Sequence, residues 1–310
     1  MNEDFGKLII IAGPTAVGKS STAVRLALEI GGEIISADSM QTYRGMDIGT
    51  AKVNKEEMQG VPHHLIDIID PDKDFNAALF QQHAREACRK IYADGHIPIV
   101  CGGTGFYIQA LLYDIDFSGE EEHDNDYRRL LQQTAELPDG ALKLAEMLKI
   151  TDPLAAENID IRNPKRVIRA LEYYKLHGSS IVLHNREESL KREHSPYDYR
   201  FFVLTADREV LYERINKRVD KMMEDGLETE ARRLYDMNLR RDCTALQGIG
   251  YKELFEYFDG QVSREEAVEN IKLNSRRYAK RQLTWFRREK NVIWIDTDKG
   301  DPIDDIRKYL

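Results

Sequence analysis

The sequence predicts an α/β fold, with a P-loop-containing, doubly wound parallel sheet as its core and a mainly helical insertion domain. Three observations support this prediction. Short apolar runs alternate with helical segments along most of the 310 residues, as in a parallel sheet covered by helices. A glycine-containing loop, GPTAVGKS, joins the first apolar run to the first helix. The stretch 114–199 interrupts the alternation, because it is rich in charged and helix-forming residues and has few strand signals.

The apolar runs define the order of the elements. Helices are predicted at 19–30, at 76–95, where a glycine ends the helix, and in long segments from 207 to about 290. The core domain is predicted to comprise 1–113 and 200–310 with the C-terminal helices, and the insertion domain to comprise 114–199. We predict six strands, at 7–13, 32–38, 63–70, 97–103, 200–207 and 292–298.

Composition excludes several classes of protein. The chain is 42% hydrophobic and 32% charged, and it has neither an apolar run of about 18 residues nor a signal-peptide layout, so we expect a cytoplasmic protein. The three cysteines, Cys88, Cys101 and Cys243, lie far apart and predict neither a zinc site nor disulfides. The net charge of −9 argues against a nucleic-acid partner unless the basic residues cluster. We expect a monomer with no obligate protein partner.

The loop from Gly13 to Ser20 matches the pattern G-x-x-x-x-G-K-S/T, with a strand before it and a helix after it. Gly13 and Gly18 permit backbone conformations that turn several N–H groups toward one anion. The following helix begins at Lys19, so its positive dipole end faces the same anion. We predict that Lys19 reaches the terminal phosphates and that the Ser20 hydroxyl holds Mg²⁺.

The carboxylate that usually accompanies such a loop is not where a kinase would have it. In kinases and nucleotide hydrolases an acidic residue at the end of another strand holds the metal, but the run IPIVCGG ends in cysteine and glycines. Asp38 stands instead after the run EIISA. It can hold a metal, act as a base beside the phosphates, or cap a turn. The loop is therefore able to bind a diphosphate without transferring phosphate.

Further polar residues follow other predicted elements. Thr104, in GGTG, can bind a diphosphate oxygen or cap the helix at 105–113. Arg214 and Arg218 lie four apart on one helical face, where one of them can clamp a diphosphate or both can be solvated. Residues 276–290 carry seven Lys or Arg and one Glu, so we predict that this face contacts RNA. For Trp285 and Phe286 we favour packing in the core.

Several motifs occur in an order that resembles one family. They are GPTAVGKS, SADSMQTYRGMDIGTAK, VPHHLIDIIDP, CGGTGFYIQALL, RVIRALEYY, GIGYKE and RRYAKRQLTWFRR. Together, from about residue 7 to 296, they resemble the bacterial tRNA dimethylallyltransferases. The resemblance implies transfer of a dimethylallyl group from dimethylallyl diphosphate to N6 of the adenosine 3′ of the anticodon. No Cys/His cluster follows VIWIDT, unlike the eukaryotic relatives with their zinc finger.

The resemblance also implies roles for individual residues. Asp38 is the general base, with Thr104 and Arg218 as further catalytic residues and Arg214 as a substitute for Arg218. The diphosphate is bound by Gly13, Pro14, Thr15, Ala16, Val17, Gly18, Lys19, Ser20, Ser21 and Arg214. The tRNA anticodon stem-loop is contacted by Asp38, Ser39, Met40, Gln41, Lys165, Arg166, Arg169, Gln247, Gly248, Tyr251, Lys252, Arg276, Arg277, Lys280 and Arg281. Lys165 stands where the family usually has an aspartate.

Three other functions compete with this one. An ATP-dependent small-molecule kinase would need a carboxylate at the end of the fourth strand and an arginine-rich lid. A prenyltransferase acting on free AMP, ADP or ATP would not need the basic helix. A non-catalytic RNA-binding protein would not need Lys19, Ser20, Asp38 and Thr104 together.

Overall fold

The computed structural model describes residues 5–115, 117, 125–191 and 194–310. The chain divides into two compact units, of which the first comprises Met1–Asp114 and Pro196–Leu310 and the second Ile115–Ser195. A parallel sheet covered by helices forms the first unit, and helices form the described part of the second. The predicted fold class is confirmed.

The sheet of the first unit has six strands in the order β3-β2-β4-β1-β5-β6, and every neighbouring pair is parallel. This order changes direction at β1, so the sheet is wound in both directions from its centre. The strands are β1 (Lys7–Ala12), β2 (Gly32–Ser36), β3 (His63–His64), β4 (Ile97–Gly102), β5 (Asp198–Thr205) and β6 (Val292–Asp296).

Helices connect and cover these strands. In the first unit they are α1 (Lys19–Ile30), α2 (Lys55–Met58), α3 (Ala77–Ala93), α4 (Gly105–Leu112), α10 (Arg208–Glu224), α11 (Leu227–Asp236), α12 (Tyr251–Phe258), α13 (Arg264–Phe286) and α14 (Pro302–Arg307). In the second they are α5 (Asn125–Ala135), α6 (Gly140–Thr151), α7 (Pro153–Asn158), α8 (Pro164–His177) and α9 (Ile181–Lys191). No helix within the described ranges combines the length and apolar character needed to cross a bilayer.

The third strand is shorter than the predicted run 63–70. It ends after His64, because Leu65 and Asp67 adopt left-handed backbone conformations with φ of 65° and 55°. Farther along, Ile69 makes only an isolated bridge to Tyr43. Of the apolar residues that follow His64 in this run, Leu65 is buried, but none of them extends the strand.

The register of the central strands gathers their carboxyl ends at one edge. Ala12 of β1 lies beside Gly102 of β4, and Ser36 of β2 lies beside Cys101. The loops that follow these strands therefore start side by side, as is usual for ligand sites in open α/β sheets. The P-loop, the segment after β2 and the GGTG segment meet there.

The second unit has a small apolar core of its own, built by helical periodicity. Leu131, Leu144, Leu148, Val167 and Leu171 belong to it, and none of their side chains is exposed to solvent. The N-terminus of α8 is fixed by Asn163, whose side chain accepts hydrogen bonds from the N–H groups of the first turn.

Candidate active site

The P-loop has the backbone geometry that its sequence predicts. Gly13 and Gly18 have φ of 145° and 97°, and a Cβ at Gly13 would lie 2.5 Å from the carbonyl oxygen of Leu204. Helix α1 begins at Lys19, directly after Gly18. The loop thus presents backbone N–H groups and the positive end of a 12-residue helix to the same space.

The Lys19 ammonium lies against its own loop. Its Nζ donates a hydrogen bond of 2.7 Å to the carbonyl oxygen of Pro14. Burial lowers the pKa of Lys19 from 10.5 to about 8; Arg218 acts in the same direction, while Cys101 and Asp38 oppose the shift. A partly buried cation at this position attracts an anionic ligand more strongly than a fully solvated one does.

Asp38 lies at the edge where β2 ends, and its carboxylate has one backbone partner. Its Oδ1 accepts the N–H of Met40 at 2.9 Å, which is the turn contact anticipated as an alternative to catalysis. This bond leaves the rest of the carboxylate open to the cavities described below. Asp38 is therefore held in a defined orientation by its own turn.

The GGTG segment packs against the segment that carries Asp38. A Cβ at Gly102 would lie 2.2 Å from the carbonyl oxygen of Ala37, so only glycine fits. The Thr104 hydroxyl makes no capping bond to α4; its oxygen accepts the N–H of Ser39 at 3.2 Å. Thr104 therefore occupies the N-cap position of α4 without capping the helix through its side chain, and its hydroxyl instead joins two loops of the site.

The two arginines on α10 differ in their partners. Arg218 faces the P-loop, where its Nη1 donates to the Thr15 hydroxyl at 3.4 Å. Arg214 forms an ion pair with Asp298, at 2.9 Å, and contacts Thr297. Burial lowers the pKa of Arg218, and Asp38 is the first of the acidic groups that oppose this shift. Arg218 thus lies against the P-loop, while Arg214 is held by the residues that follow β6 and lines only the more open cleft described below.

Two cavities in the first unit meet at these residues. The smaller, about 80 Å³, is lined by Lys19 and Ser20 among others. The larger, about 270 Å³, is lined by Met40, Gly248 and Lys252 among others. Both cavities are lined by the same five residues, which we call the junction: Thr15, Asp38, Thr50, Arg218 and Tyr278.

A third and more open cleft of about 800 Å³ continues from the P-loop. It is lined by Ser20 and Ser21 on one side and by Lys52 and Lys221 on another. Because Lys19 and Arg218 line both this cleft and the smaller cavity, the P-loop can be reached from solvent without passing through the larger cavity.

The residues present fit a magnesium ion bound together with a phosphorylated ligand. Within the described residues, no group of three or more His, Cys, Asp or Glu could hold a metal alone. Ser20 and Asp38 nevertheless both line the smaller cavity. Mg²⁺ is commonly held by one or two protein oxygens together with phosphate oxygens and water, and this donor set suits such a site.

Two residues that line the larger cavity, Gly49 and Tyr251, are bonded to a buried carboxylate that sequence reasoning missed. Glu230 accepts the N–H groups of Asp47, Ile48 and Gly49 at 2.8, 3.0 and 2.9 Å, and the hydroxyl of Tyr251 at 2.7 Å. It therefore ties the segment after Met46 to the GIGY turn. Tyr251 is fully buried in the fold, and it lines the larger cavity together with Gly49.

The predicted RNA-contacting residues fall on both units. On α13, Arg277, Lys280 and Arg281 are exposed, whereas Arg276 is half-buried and bonded to Asn216. On α8 of the second unit, the three predicted basic residues are all exposed: Lys165, Arg166 and Arg169. Gln41 bonds to Ser36, and the amide of the exposed Gln247 donates to the carbonyl oxygen of Arg241.

Of the two aromatic residues near the end of α13, one follows the prediction. Phe286 is fully buried, as expected. Trp285 is 37% exposed and stacks edge-on against Phe106, so its assignment to the core was wrong. Its indole occupies the place that a Cβ at Gly105 would need.

A parallel α/β sheet with a P-loop between its first strand and first helix places this chain in the class of P-loop α/β proteins. The model of the IPP transferase family matches residues 41–289, and a second model, described as isopentenyl transferase, matches residues 6–72. The chain belongs to the tRNA dimethylallyltransferase family, whose members are prenyl-transferring enzymes.

Relatives and solved structures agree with this assignment. The tRNA dimethylallyltransferase of Lachnoclostridium phytofermentans is 52% identical over 288 residues, covering 93% of this chain and 91% of the relative. That of Bacillus subtilis is 51% identical over 296 residues, covering 96% and 92%. The crystal structure of the tRNA isopentenylpyrophosphate transferase of Bacillus halodurans superposes with a TM-score of 0.72 at 48% identity, covering 97% and 93%. A eukaryotic dimethylallyltransferase acting on tRNA gives a TM-score of 0.79 at 30% identity, covering 94% of this chain and 74% of the other.

Proposed function

We propose that this enzyme transfers a dimethylallyl group from dimethylallyl diphosphate to N6 of the adenosine 3′-adjacent to the tRNA anticodon and releases diphosphate. The observation that carries the proposal is the junction, where a cavity beside the P-loop meets a second cavity at Asp38 and Arg218. A donor bound by its diphosphate and an acceptor bound opposite it would react at that point. The names of the relatives supply the substrate class.

On the donor side, the bond that breaks is the C–O bond of the allylic diphosphate. Negative charge then builds on the departing diphosphate, so N–H groups and cations fixed around it lower the barrier. The P-loop N–H groups, Lys19 and Arg218 would supply these interactions. We assign the Thr104 hydroxyl, which accepts the N–H of Ser39, as a further contact of a diphosphate oxygen. The Ser20 hydroxyl would hold Mg²⁺, which supplies further positive charge to the diphosphate.

On the acceptor side, the nucleophile is a weak one. The lone pair of adenine N6 is delocalised into the ring, so removal of its proton as the C–N bond forms assists the reaction. Asp38 accepts that proton in our proposal, since its carboxylate lines both cavities. The adenosine must leave the base stack to reach this point, and the larger cavity would receive it.

The tRNA would lie along basic residues. The exposed Arg277, Lys280 and Arg281 on α13 and the basic residues of α8 would contact phosphates of the anticodon stem-loop. Arg281 also lines the larger cavity, so the basic face of α13 leads directly to the place proposed for the adenosine. All the groups invoked belong to one chain, and the proposal requires no protein partner.

A transfer assay with several acceptors tests this function. The purified protein is incubated with Mg²⁺, dimethylallyl diphosphate and unmodified tRNA bearing adenosine 3′ of its anticodon, and parallel reactions contain AMP or ATP as the acceptor. We expect digestion and mass spectrometry to find dimethylallyl adenosine from tRNA alone. Product on the mononucleotide alone would overturn the acceptor assignment, and consumption of ATP without prenyl transfer would overturn the reaction.

A further inference from the structure

One buried polar side chain beside the smaller cavity has no part in the mechanism above. Gln282 lies on α13 and is only 5% exposed. It lines the smaller cavity together with Lys19 and Asp38. A buried amide requires partners for its oxygen and its NH₂ group, so the partners of Gln282 indicate what it holds in place.

Those partners belong to two different loops of the site. The Gln282 Oε1 accepts the N–H of Thr15, in the P-loop, at 2.9 Å. Its Nε2 donates to the carbonyl oxygen of Gly103, in the GGTG segment, at 3.0 Å. One loop needs an acceptor and the other needs a donor, so a neutral amide satisfies both. A carboxylate in the same place would face the carbonyl oxygen of Gly103 with like charge.

The fit around this amide is close. A Cβ at Gly103 would lie 2.0 Å from Nε2 of Gln282, and therefore any other residue there would displace the amide. Tyr278 lies one helical turn earlier on α13 and lines the same cavity as Gln282. The amide of Gln282 is thus held by one loop on each side.

The two loops joined by Gln282 carry the groups on either side of the reacting bond. Thr15 is bonded to Arg218 through its hydroxyl. Thr104, directly after Gly103, accepts the N–H of Ser39, which follows Asp38. A shift of either loop would therefore change the distance between the diphosphate site and the proposed base. Misplacement by about 1 Å can slow an enzymatic reaction on the order of 100-fold.

We infer that Gln282 is a positioning residue for prenyl transfer, which sets the P-loop and its diphosphate against the segment that carries Asp38. The inference rests on the proposed function in naming the donor. It assigns Gln282 no contact with the reacting atoms. Its predicted effect is on donor binding and on the rate of transfer, and not on the affinity for tRNA.

The test compares Gln282→Met with Gln81→Met. Gln81 is a matched control, because it is buried, donates through Nε2 to the carbonyl oxygen of Ala110 at 2.6 Å, and lines none of the three cavities. We expect Gln282→Met to lower kcat/KM for dimethylallyl diphosphate by about 10- to 100-fold, with KM for tRNA within about twofold. Gln81→Met should lower the melting temperature while leaving both constants unchanged for each folded molecule.

Two additional variants keep the test decisive if Gln282→Met folds poorly. Gln282→Glu keeps the side-chain length but loses the donor to Gly103, and Gly103→Ala displaces the amide while leaving Gln282 in the sequence. Both variants should show the same decrease in kcat/KM for dimethylallyl diphosphate. The double variant Gly103→Ala, Gln282→Met should show no larger decrease than either single variant. Wild-type kcat/KM in all Gln282 variants would overturn the inference.

A binding measurement separates failure of this inference from failure of the proposed function. Calorimetry with inorganic diphosphate and Mg²⁺ requires no turnover. If the wild-type protein forms no prenylated tRNA, the proposed function fails. Even then, weaker binding of diphosphate by Gln282→Met than by Gln81→Met would support the role of Gln282 in positioning the P-loop. Equal affinity of the two variants for diphosphate would contradict the role of Gln282 in positioning the P-loop.

Discussion

The lowered pKa of the partly buried Lys19 predicts an unusual pH dependence for use of the donor. Burial lowers its pKa from 10.5 to about 8, helped by the positive charge of Arg218. The protonated form attracts the diphosphate, so the unliganded enzyme is competent below about pH 8 and loses this charge as the pH rises. The donor itself does not change there, because phosphate groups complete their ionisation near pH 6.

The size of the effect follows from the titration of this one group. One pH unit above the pKa, about a tenth of the free enzyme still carries the charge, so kcat/KM for dimethylallyl diphosphate should fall about tenfold per unit above about pH 8. An ordinary lysine would place the same decline above pH 10. Arginine remains charged throughout this range, so Lys19→Arg should remove the decline even if it lowers the maximum.

The assay measures initial rates at saturating tRNA and subsaturating donor, because kcat/KM reports the ionisation of the free enzyme. The wild-type protein and Lys19→Arg are compared between about pH 6.5 and 9.5. A wild-type profile that stays flat to the upper limit would refute the reasoning. So would the same alkaline decline in Lys19→Arg, since another group would then cause it.

Three other substitutions test the rest of the site. Asp38→Asn can keep the bond to the N–H of Met40 while removing the base, so the single-turnover rate of transfer should fall about 10²- to 10⁴-fold. The affinity for tRNA, measured by filter binding, should stay nearly unchanged. Loss of tRNA binding would contradict the assignment of Asp38 as the base. Arg218→Lys should lower donor kcat/KM about tenfold or more, whereas Arg214→Lys should change it less than about threefold, because the guanidinium of Arg214 is paired elsewhere. Glu230→Gln should lower the free energy of unfolding in urea by about 2 kcal/mol or more, and Tyr251→Phe by about 1 kcal/mol; equal effects would show that the three N–H bonds to Glu230 contribute little.

Much of the fold could be predicted because its signals are local. The P-loop, the start of α1 at Lys19 and five of the six strands follow from apolar runs that end at glycine or polar residues. The prediction of a strand over 63–70 was wrong in length, because hydrophobicity does not report backbone angles. The left-handed conformations of Leu65 and Asp67 end β3 after two residues. The prediction that Trp285 packs in the core was wrong for a related reason, since its neighbour Phe106 comes from a helix distant in sequence.

The parts of the site that sequence reasoning missed depend on distant partners. Gln282 bonds to Thr15 across 267 residues, and Glu230 bonds to Asp47 across 183. Glu230 lies in no motif, and Gln282 lies in RRYAKRQLTWFRR without being given a role there, because a glutamine or glutamate on a helix is usually solvated. Spacing placed Arg214 and Arg218 on one face, but only the fold shows that Arg214 is paired with Asp298.

The central claim is that the P-loop holds a diphosphate whose bond to carbon, and not to phosphorus, is broken. It is tested most directly by the stoichiometry of one reaction with tRNA, Mg²⁺ and dimethylallyl diphosphate, in which prenylated adenosine, diphosphate and monophosphate are all quantified. The account predicts one diphosphate for each prenylated adenosine and no monophosphate. Release of monophosphate in step with product, or hydrolysis of ATP as the only reaction, would contradict it.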